Sequence, residues 1–216
     1  MIKRVIFDID NTLIDWKTEY NDKVREVLEE FNEKREEAEI KKLQEALNEY
    51  ENYYLTFNLD KMVEFVRKYT DVNYSKEIIQ RILDMWGTCV PQEYPIENID
   101  TLKYLKDKYE LVILTDWFLK PQLNRLNLLK IDKFFSEIYT AENFKRKPNK
   151  EAFIQAMGEY KPEECIMIGD SYERDIIGAT NCGLYTIWYR GKKEMCESLN
   201  PKVVVIEELS ELKDIL

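Results

Sequence analysis

Short apolar runs recur along the chain and predict strands. The runs are rich in β-branched and aliphatic residues without polar alternation, which is typical of strands covered on both faces of a sheet. They lie at residues 4–9 (RVIFDI), 111–114 (LVIL), 138–139 (IY), 165–168 (CIMI), 185–189 (YTIWY) and 203–206 (VVVI). Helical patterns follow at residues 100–108, 120–128, 150–160 and 174–181. Strands that alternate with helices predict an α/β fold with a parallel sheet and crossover helices.

A long helical stretch separates the first predicted strand from the second. Between Trp16 and Trp86 the sequence has no glycine, is rich in Glu and Lys, and places apolar residues at helical spacing. This pattern predicts an all-helical segment. Two of its helices are predicted around residues 61–69 and 75–85, with Asp60 and Ser75 as N-caps.

Prolines in VPQEYP, at residues 90–95, predict the return of the chain to the sheet. A chain of 216 residues fits one domain with a large insertion, or two small domains. We expect a core domain of residues 1–14 and 93–216, and a helical cap domain of residues 15–92.

The formal net charge of −10 argues against binding to nucleic acids or anionic membranes, which attract basic surfaces. The first apolar run is too short for a signal peptide, and no run approaches the ~20 residues that span a bilayer. We therefore expect a soluble, cytoplasmic protein without nucleic-acid or membrane partners. The four cysteines form no C-x-x-C pair and are expected to be reduced thiols, mostly buried.

The chain contains no histidine. This excludes Ser-His and Cys-His catalysis, most zinc hydrolase sites and the usual base at neutral pH. If the protein is an enzyme, carboxylates, a lysine or a bound metal must perform the chemistry.

Polar side chains follow three of the predicted strands. Asp8 and Asp10 follow the first, Thr115 and Asp116 the second, and Asp170 the run CIMIG. The carboxyl ends of parallel strands meet at one edge, where open α/β sheets bind their ligands. Clustered carboxylates repel one another unless a cation neutralises them, and Mg²⁺ prefers oxygen ligands. The pattern therefore predicts a magnesium site.

The spacing of Asp8 and Asp10 predicts that both side chains flank one reacting centre, because residues i and i+2 of an extended segment share a side. One acid could then be the nucleophile and the other the proton donor. Residues 144–153 (FKRKPNKEAF) concentrate four basic residues. They form either a solvated loop or one that carries a cation to a phosphoryl oxygen.

Together these segments resemble the four motifs of the haloacid dehalogenase superfamily, in the same order. The matching segments are DIDNT at 8–12, the strand ending in Thr115, Lys147 followed by Pro148 and Phe153, and GDSYERD at 169–175. The resemblance covers residues 5 to about 189. It implies a Rossmann-like three-layer α/β sandwich with a mostly parallel sheet, and an all-helical C1 cap inserted after the first strand.

The resemblance also implies roles for individual residues. Asp8 would attack phosphorus and form an aspartyl-phosphate. Asp10 would protonate the leaving alcohol and then activate water, with its backbone carbonyl on the metal. Thr115 would hydrogen-bond the transferring phosphoryl group, and Lys147 would stabilise the charge of that group and of Asp8.

The fourth motif would supply the remaining metal contacts, with Asp170 as a magnesium ligand and Asp175 supporting the metal directly or through water. Asp116 is predicted to bind substrate, although the superfamily often has asparagine there. Trp117 stands where a small residue is common. It would pack under the cap or form an aromatic wall, and the frequent use of Trp in protein cores favours packing.

Because a halide needs no proton to leave, the presence of Asp10 favours a phosphatase over a dehalogenase. The resemblance implies a Mg²⁺-dependent phosphatase that hydrolyses a small soluble phosphomonoester, such as a nucleotide or sugar phosphate. A phosphomutase or phosphotransferase is one alternative, and a non-catalytic binding scaffold is another. The protein is expected to be a monomer or homodimer.

Overall fold

A six-stranded parallel sheet forms the centre of the computed structural model, which describes residues 1–191 and 203–216 except for the side chains at 18 and 19. The strand order is β3-β2-β1-β4-β5-β6, and every pairing is parallel. The strands are β1 (Arg4–Phe7), β2 (Glu110–Thr115), β3 (Glu137–Thr140), β4 (Cys165–Gly169), β5 (Tyr185–Tyr189) and β6 (Val204–Ile206). The predicted α/β fold with a parallel sheet is therefore confirmed.

Burial on both faces explains why the strands lack polar alternation. Val5 and Phe7 of β1 pack in the apolar cluster on one face of the sheet, whereas Ile6 packs in the cluster on the other. All three side chains have no solvent exposure. A sheet covered by helices on both sides favours nearly continuous apolar residues in its central strands.

The described residues form nine α-helices. They are α1 (Lys23–Glu30), α2 (Glu37–Tyr53), α3 (Leu59–Thr70), α4 (Lys76–Trp86), α5 (Ile96–Lys106), α6 (Leu119–Leu128), α7 (Lys150–Met157), α8 (Gly178–Asn181) and α9 (Leu212–Ile215). The largest differences from the predicted helices lie at three places. Helix α5 starts four residues early, directly after Pro95. Helix α7 ends at Met157 because Gly158 has a φ of +59°. A π-helical turn, Tyr172–Ile177, precedes α8.

Helices α1–α4, which we call the helical insertion, supply most of one apolar cluster, which Phe118 and Ala141 join from the rest of the chain. The predicted N-cap at Ser75 is confirmed, since its side chain accepts a hydrogen bond from Ile78 N. The predicted N-cap at Asp60 is wrong, because Asn58 caps α3 by accepting from Lys61 N. Asp60 lies instead in the first turn, where a carboxylate interacts favourably with the helix dipole.

Two backbone hydrogen bonds are among the contacts between the insertion and the rest of the chain. Phe57 N donates to Ala141 O, and Arg146 N donates to Leu55 O, each at 2.7 Å. These contacts place α2 and α3 beside the carboxyl end of the sheet. The domain boundaries at residues 1–14, 15–92 and 93–216 stay a prediction.

Cys89 and Cys165 are buried free thiols, and Cys182 is a half-buried one. Burial raises the pKa of the Cys165 thiol to about 11, which suppresses its reactive thiolate form. The fourth cysteine, Cys196, lies outside the described residues. None of the described helices has the length and apolar character required to traverse a bilayer.

Candidate active site

Three adjacent strands bring the predicted site residues together. β1 lies between β2 and β4 in the sheet, and the chain leaves all three strands at the same edge. Asp8 follows β1, Thr115 ends β2, and Asp170 follows β4. Crossovers diverge on either side of β1, which leaves a crevice at this edge.

Lys147 lies in the floor of this crevice and pairs with two carboxylates. Its Nζ is 2.7 Å from Asp8 Oδ1 and 2.7 Å from Asp175 Oδ1. Burial would lower the pKa of Lys147, but the attraction of Asp175 and Asp8 outweighs burial and raises it. Lys147 is therefore a buried cation, and the alternative of a solvated basic loop does not describe this residue.

Asp8 is almost fully buried and its carboxylate is held on both sides. Thr12 Oγ1 donates to Asp8 Oδ2 at 3.2 Å, opposite the contact with Lys147. Burial raises the pKa of Asp8 well above its ordinary value, Lys147 opposes this, and the nearby charges of Asp175, Asp10 and Asp170 raise it further. The excess of negative charge indicates a place for a cation.

Three carboxylates are close enough to hold one metal ion. Oxygen atoms of Asp8, Asp170 and Asp175 lie within 4.8 Å of one another. An all-oxygen set of buried and half-buried carboxylates fits Mg²⁺, which is commonly held by one or two carboxylates together with substrate phosphate. The side chain of Asp10 is not part of this group. Its predicted contribution to the metal, through the backbone carbonyl, stays a prediction.

Asp10 follows the strand in a tight turn, and its side chain points to helix α6. Asn11 has a φ of 60°, a left-handed conformation that Asn tolerates, and its side chain accepts from Trp16 N at 3.0 Å. This turn directs the Asp10 carboxylate to Gln122 and Arg125. The sequence analysis did not identify these two residues.

Thr115 and Asp116 lie at the end of β2 with different partners. Thr115 Oγ1 accepts from Gln122 Nε2 at 3.0 Å. Asp116 Oδ1 accepts from the backbone N–H of Lys147 at 2.9 Å, and Asp116 Oδ2 lies 3.7 Å from Arg174 Nη1. The carboxylate of Asp116 therefore fixes the lysine loop while it lines the crevice.

The helical insertion covers part of the crevice and leaves a half-open cavity of about 230 Å³. Trp16, Asn48, Glu51 and Trp86 line it opposite the aspartates, while Trp117 extends from the sheet side. Trp117 also packs edge-on against Phe57 and Phe118, so it both packs and faces the cavity.

Glu51 joins the insertion to the sheet side of the cavity. Its Oε2 lies 3.1 Å from Arg146 Nη1 and 3.5 Å from Arg174 Nη1. Glu51 and Arg174 were also missed by the sequence analysis. Arg174 could have been found, since it lies within the fourth motif directly before Asp175.

Gly169, the last residue of β4, has to be glycine because Asp175 occupies the space of a side chain. A Cβ at this position would lie 2.4 Å from both Cγ and Oδ2 of Asp175. We predict that Gly169→Ala displaces Asp175, costs about 1–3 kcal/mol of unfolding free energy and weakens Mg²⁺ binding. Urea denaturation and a Mg²⁺ titration would measure both effects. Wild-type values in both would contradict this packing.

A family model described as haloacid dehalogenase-like hydrolase matches residues 5–189 of the chain. The chain belongs to this family. It is therefore a haloacid dehalogenase-like hydrolase, an enzyme, as the resemblance implied.

Relatives of this hydrolase include named phosphatases. A glyceraldehyde 3-phosphate phosphatase of Pyrococcus furiosus is 26% identical over 228 residues, covering 100% of this chain and 93% of that protein. An N-acylneuraminate-9-phosphatase of Rattus norvegicus is 24% identical, over 87% of this chain and 82% of that protein.

A solved structure supports the fold of this hydrolase. The putative hydrolase YfnB of Bacillus subtilis, in a crystal form bound to magnesium, superposes with a TM-score of 0.74 at 20% identity. The comparison covers 99% of this chain and 98% of that one. This likeness confirms the predicted Rossmann-like fold.

Proposed function

We propose that this hydrolase is a Mg²⁺-dependent phosphatase that removes the phosphate from a small phosphomonoester. The observation that carries the proposal is the buried Lys147, which contacts Asp8 and Asp175 on the floor of a cavity that Asp10 also lines. A fixed cation beside a buried carboxylate suits a reaction in which negative charge moves onto a phosphoryl group. The names of the relatives support the same activity.

Asp8 and Asp10 carry out the two chemical steps of the proposed reaction. A carboxylate oxygen of Asp8 attacks phosphorus, and the bond between phosphorus and the alcohol oxygen breaks. Asp10 gives that oxygen its proton, so the alcohol leaves neutral. Asp10 then accepts a proton from water as the water oxygen attacks phosphorus, which frees Asp8 and releases phosphate.

Thr115 and Lys147 bind the transferring group. Lys147 Nζ and Thr115 Oγ1 are the donors predicted to reach its oxygens, and Asp116 contributes by fixing the backbone of Lys147. Asp8, Asp170 and Asp175 would hold the Mg²⁺, together with the backbone carbonyl of Asp10. When bound, Mg²⁺ supplies positive charge that offsets the repulsion between these carboxylates and the phosphate.

The cavity indicates a small leaving group. Its volume of about 230 Å³ lies below the roughly 300–1,000 Å³ of drug-sized ligand pockets. Asn48 and Glu51 offer polar contacts from the insertion, and Trp16 and Trp86 offer flat apolar walls. An uncharged polyhydroxy group, as in a triose or sugar phosphate, matches this lining, and a nucleotide remains within the proposal.

A phosphomonoester panel, assayed with Mg²⁺ and with EDTA, tests the function. We expect phosphate release in Mg²⁺ and loss of release in EDTA that added Mg²⁺ restores. Release that persists in EDTA would overturn the metal requirement. Accumulation of a sugar bisphosphate in place of free phosphate would instead support the phosphomutase alternative, and inactivity on the whole panel would favour the binding scaffold.

We predict that Asp170→Asn raises the Mg²⁺ concentration for half-maximal activity by about tenfold or more, because an amide binds Mg²⁺ more weakly than a carboxylate. Activity titrated against Mg²⁺ gives this value. Asp107→Asn, an exposed aspartate beyond α5, is the control and should leave it unchanged. An unchanged requirement in Asp170→Asn would contradict the metal site.

The remaining expectations on the surroundings of the enzyme stay predictions. They are a cytoplasmic location, no nucleic-acid or membrane partner, and a monomer or homodimer.

A further inference from the structure

Both carboxylate oxygens of Asp10 are engaged by the same helix. Arg125 Nη1 forms an ion pair with Asp10 Oδ1, and Gln122 Nε2 donates to Asp10 Oδ2 at 2.6 Å. Arg125 Nη1 also donates to Gln122 Oε1 at 2.9 Å. This last contact fixes the orientation of the amide, because the oxygen must face the guanidinium and the nitrogen must face the carboxylate.

Packing alone does not account for these two polar side chains. Arg125 is 1% exposed and Gln122 is 0% exposed, so both have lost their hydration. Arg125 Nη2 is buried and has no hydrogen-bond partner among the described residues. An apolar side chain of similar volume would avoid the desolvation of a guanidinium and of this unpaired N–H group. Burying Gln122 and Arg125 therefore lowers the stability of the fold, which indicates that the two residues serve the function of the site.

We propose that Gln122 and Arg125 are positioning residues that hold the Asp10 carboxylate in the orientation needed for proton transfer. The inference rests on the proposed function, in which Asp10 is the acid and the base. Asp10 lies in a turn, and its side chain is 33% exposed. A carboxylate offers about four lone-pair sites. The two donors occupy one on each oxygen and leave the others for the cavity that Asp10 lines.

The same two residues connect Asp10 to the rest of the site. Gln122 Nε2 also donates to Thr115 Oγ1 at 3.0 Å, so one amide sets the spacing between the acid and a predicted phosphoryl contact. Arg125 Nε donates to Cys89 O at 3.0 Å, and its guanidinium lies 5.5 Å from the Trp16 ring. Trp16 and Cys89 belong to the two segments that join the insertion to the sheet. Arg125 therefore links the Asp10 carboxylate to both of these segments.

A leaving-group comparison separates positioning of the acid from general loss of structure. p-Nitrophenyl phosphate and phenyl phosphate have similar size, but p-nitrophenolate leaves readily as an anion whereas phenolate depends more on a proton. For Gln122→Met and Arg125→Met we expect kcat/KM for phenyl phosphate to fall by about 100-fold and that for p-nitrophenyl phosphate by less than about threefold. kcat should fall for both, because Asp10 must still activate water.

Three controls accompany these variants. Arg125→Lys retains a cation and should recover part of the loss with phenyl phosphate. Guanidinium ion added to Arg125→Met should do the same. Arg4→Met removes another buried arginine, which binds Glu110 and Ala156 O at the opposite end of β1, and should not change the ratio between the two substrates.

If kcat/KM falls equally for phenyl phosphate and p-nitrophenyl phosphate, or falls for neither, the positioning role is wrong. If Arg125→Met does not fold, Gln122→Met and Arg125→Lys decide by the same ratio. A wild-type enzyme that hydrolyses neither substrate nor any phosphomonoester in Mg²⁺ would refute the proposed function itself, which is a separate outcome.

Discussion

Replacing Asp8 with asparagine is expected to lower kcat/KM for an aryl phosphate by on the order of 1,000-fold or more. An amide has nearly the same shape as a carboxylate, but its oxygen is a poor nucleophile and carries no charge. Thr12 and Lys147 hold the buried side chain at position 8. A neighbouring carboxylate therefore cannot take over as the nucleophile in the variant without displacing these contacts. Steady-state kinetics of the purified variant in Mg²⁺ measures the effect.

The control for this experiment is the Asp107→Asn variant used for the metal titration, which should keep wild-type kinetics. The thermal unfolding curve of Asp8→Asn shows whether the variant is folded. A folded Asp8→Asn variant with wild-type activity would show that Asp8 is not the nucleophile.

Removing the charge of Lys147 is expected to affect both stability and activity. In Lys147→Met, the buried carboxylates of Asp8 and Asp175 lose the cation that lies 2.7 Å from each. Breaking a buried ion pair by removing one partner typically costs ~3–5 kcal/mol, because the remaining charge stays desolvated. We expect a loss of this size in urea denaturation without metal, and loss of measurable phosphatase activity.

Mg²⁺ distinguishes this explanation from a simple packing defect. Because Mg²⁺ would neutralise the same carboxylates, it should raise the melting temperature of Lys147→Met more than that of the wild type. Lys145→Met, an exposed lysine of the same loop, is the matched control and should behave as wild type. If Lys147→Met is as stable as wild type and Mg²⁺ gives no added stabilisation, the electrostatic role of Lys147 is wrong.

The sheet was predictable from sequence because its strands are buried on both faces. Every residue of β1 is buried, and the apolar run that follows Arg4 was the signal for this strand. The convergence of Asp8, Thr115 and Asp170 followed from the parallel topology, which brings the carboxyl ends of strands to one edge. The strands can be recognised from their apolar runs, and the shared edge follows from the alternation of strands with helices. Both patterns can be read from short segments of the sequence.

Helix ends were harder to predict because neighbouring residues compete for them. Asn58 and Asp60 are both good N-cap residues, and only the backbone conformation shows that Asn58 accepts the hydrogen bond. The end of α7 depends on Gly158, whose left-handed conformation stops the helix before Tyr160. The sequence around each helix end was compatible with the predicted boundary and with the observed one.

The partners of Asp10 were not predictable from the hydrophobic pattern. Gln122 and Arg125 are polar residues of an amphipathic helix, and polar positions normally indicate a solvent-facing surface. Their spacing of three residues, in the helix that follows Thr115, would have placed them on one face near the strand end. Burial of that face depends on the helical insertion, which packs from elsewhere in the chain.

Trapping the covalent intermediate tests the central claim most directly. Borohydride reduces an acyl phosphate, so treatment of the enzyme during turnover of an aryl phosphate should convert the phosphorylated aspartate to homoserine. We predict homoserine at position 8 by peptide mass spectrometry, dependent on substrate, with Asp10 and Asp170 unchanged and no product in Asp8→Asn. Reduction at another carboxylate, or turnover that leaves Asp8 unmodified under trapping, would contradict the account.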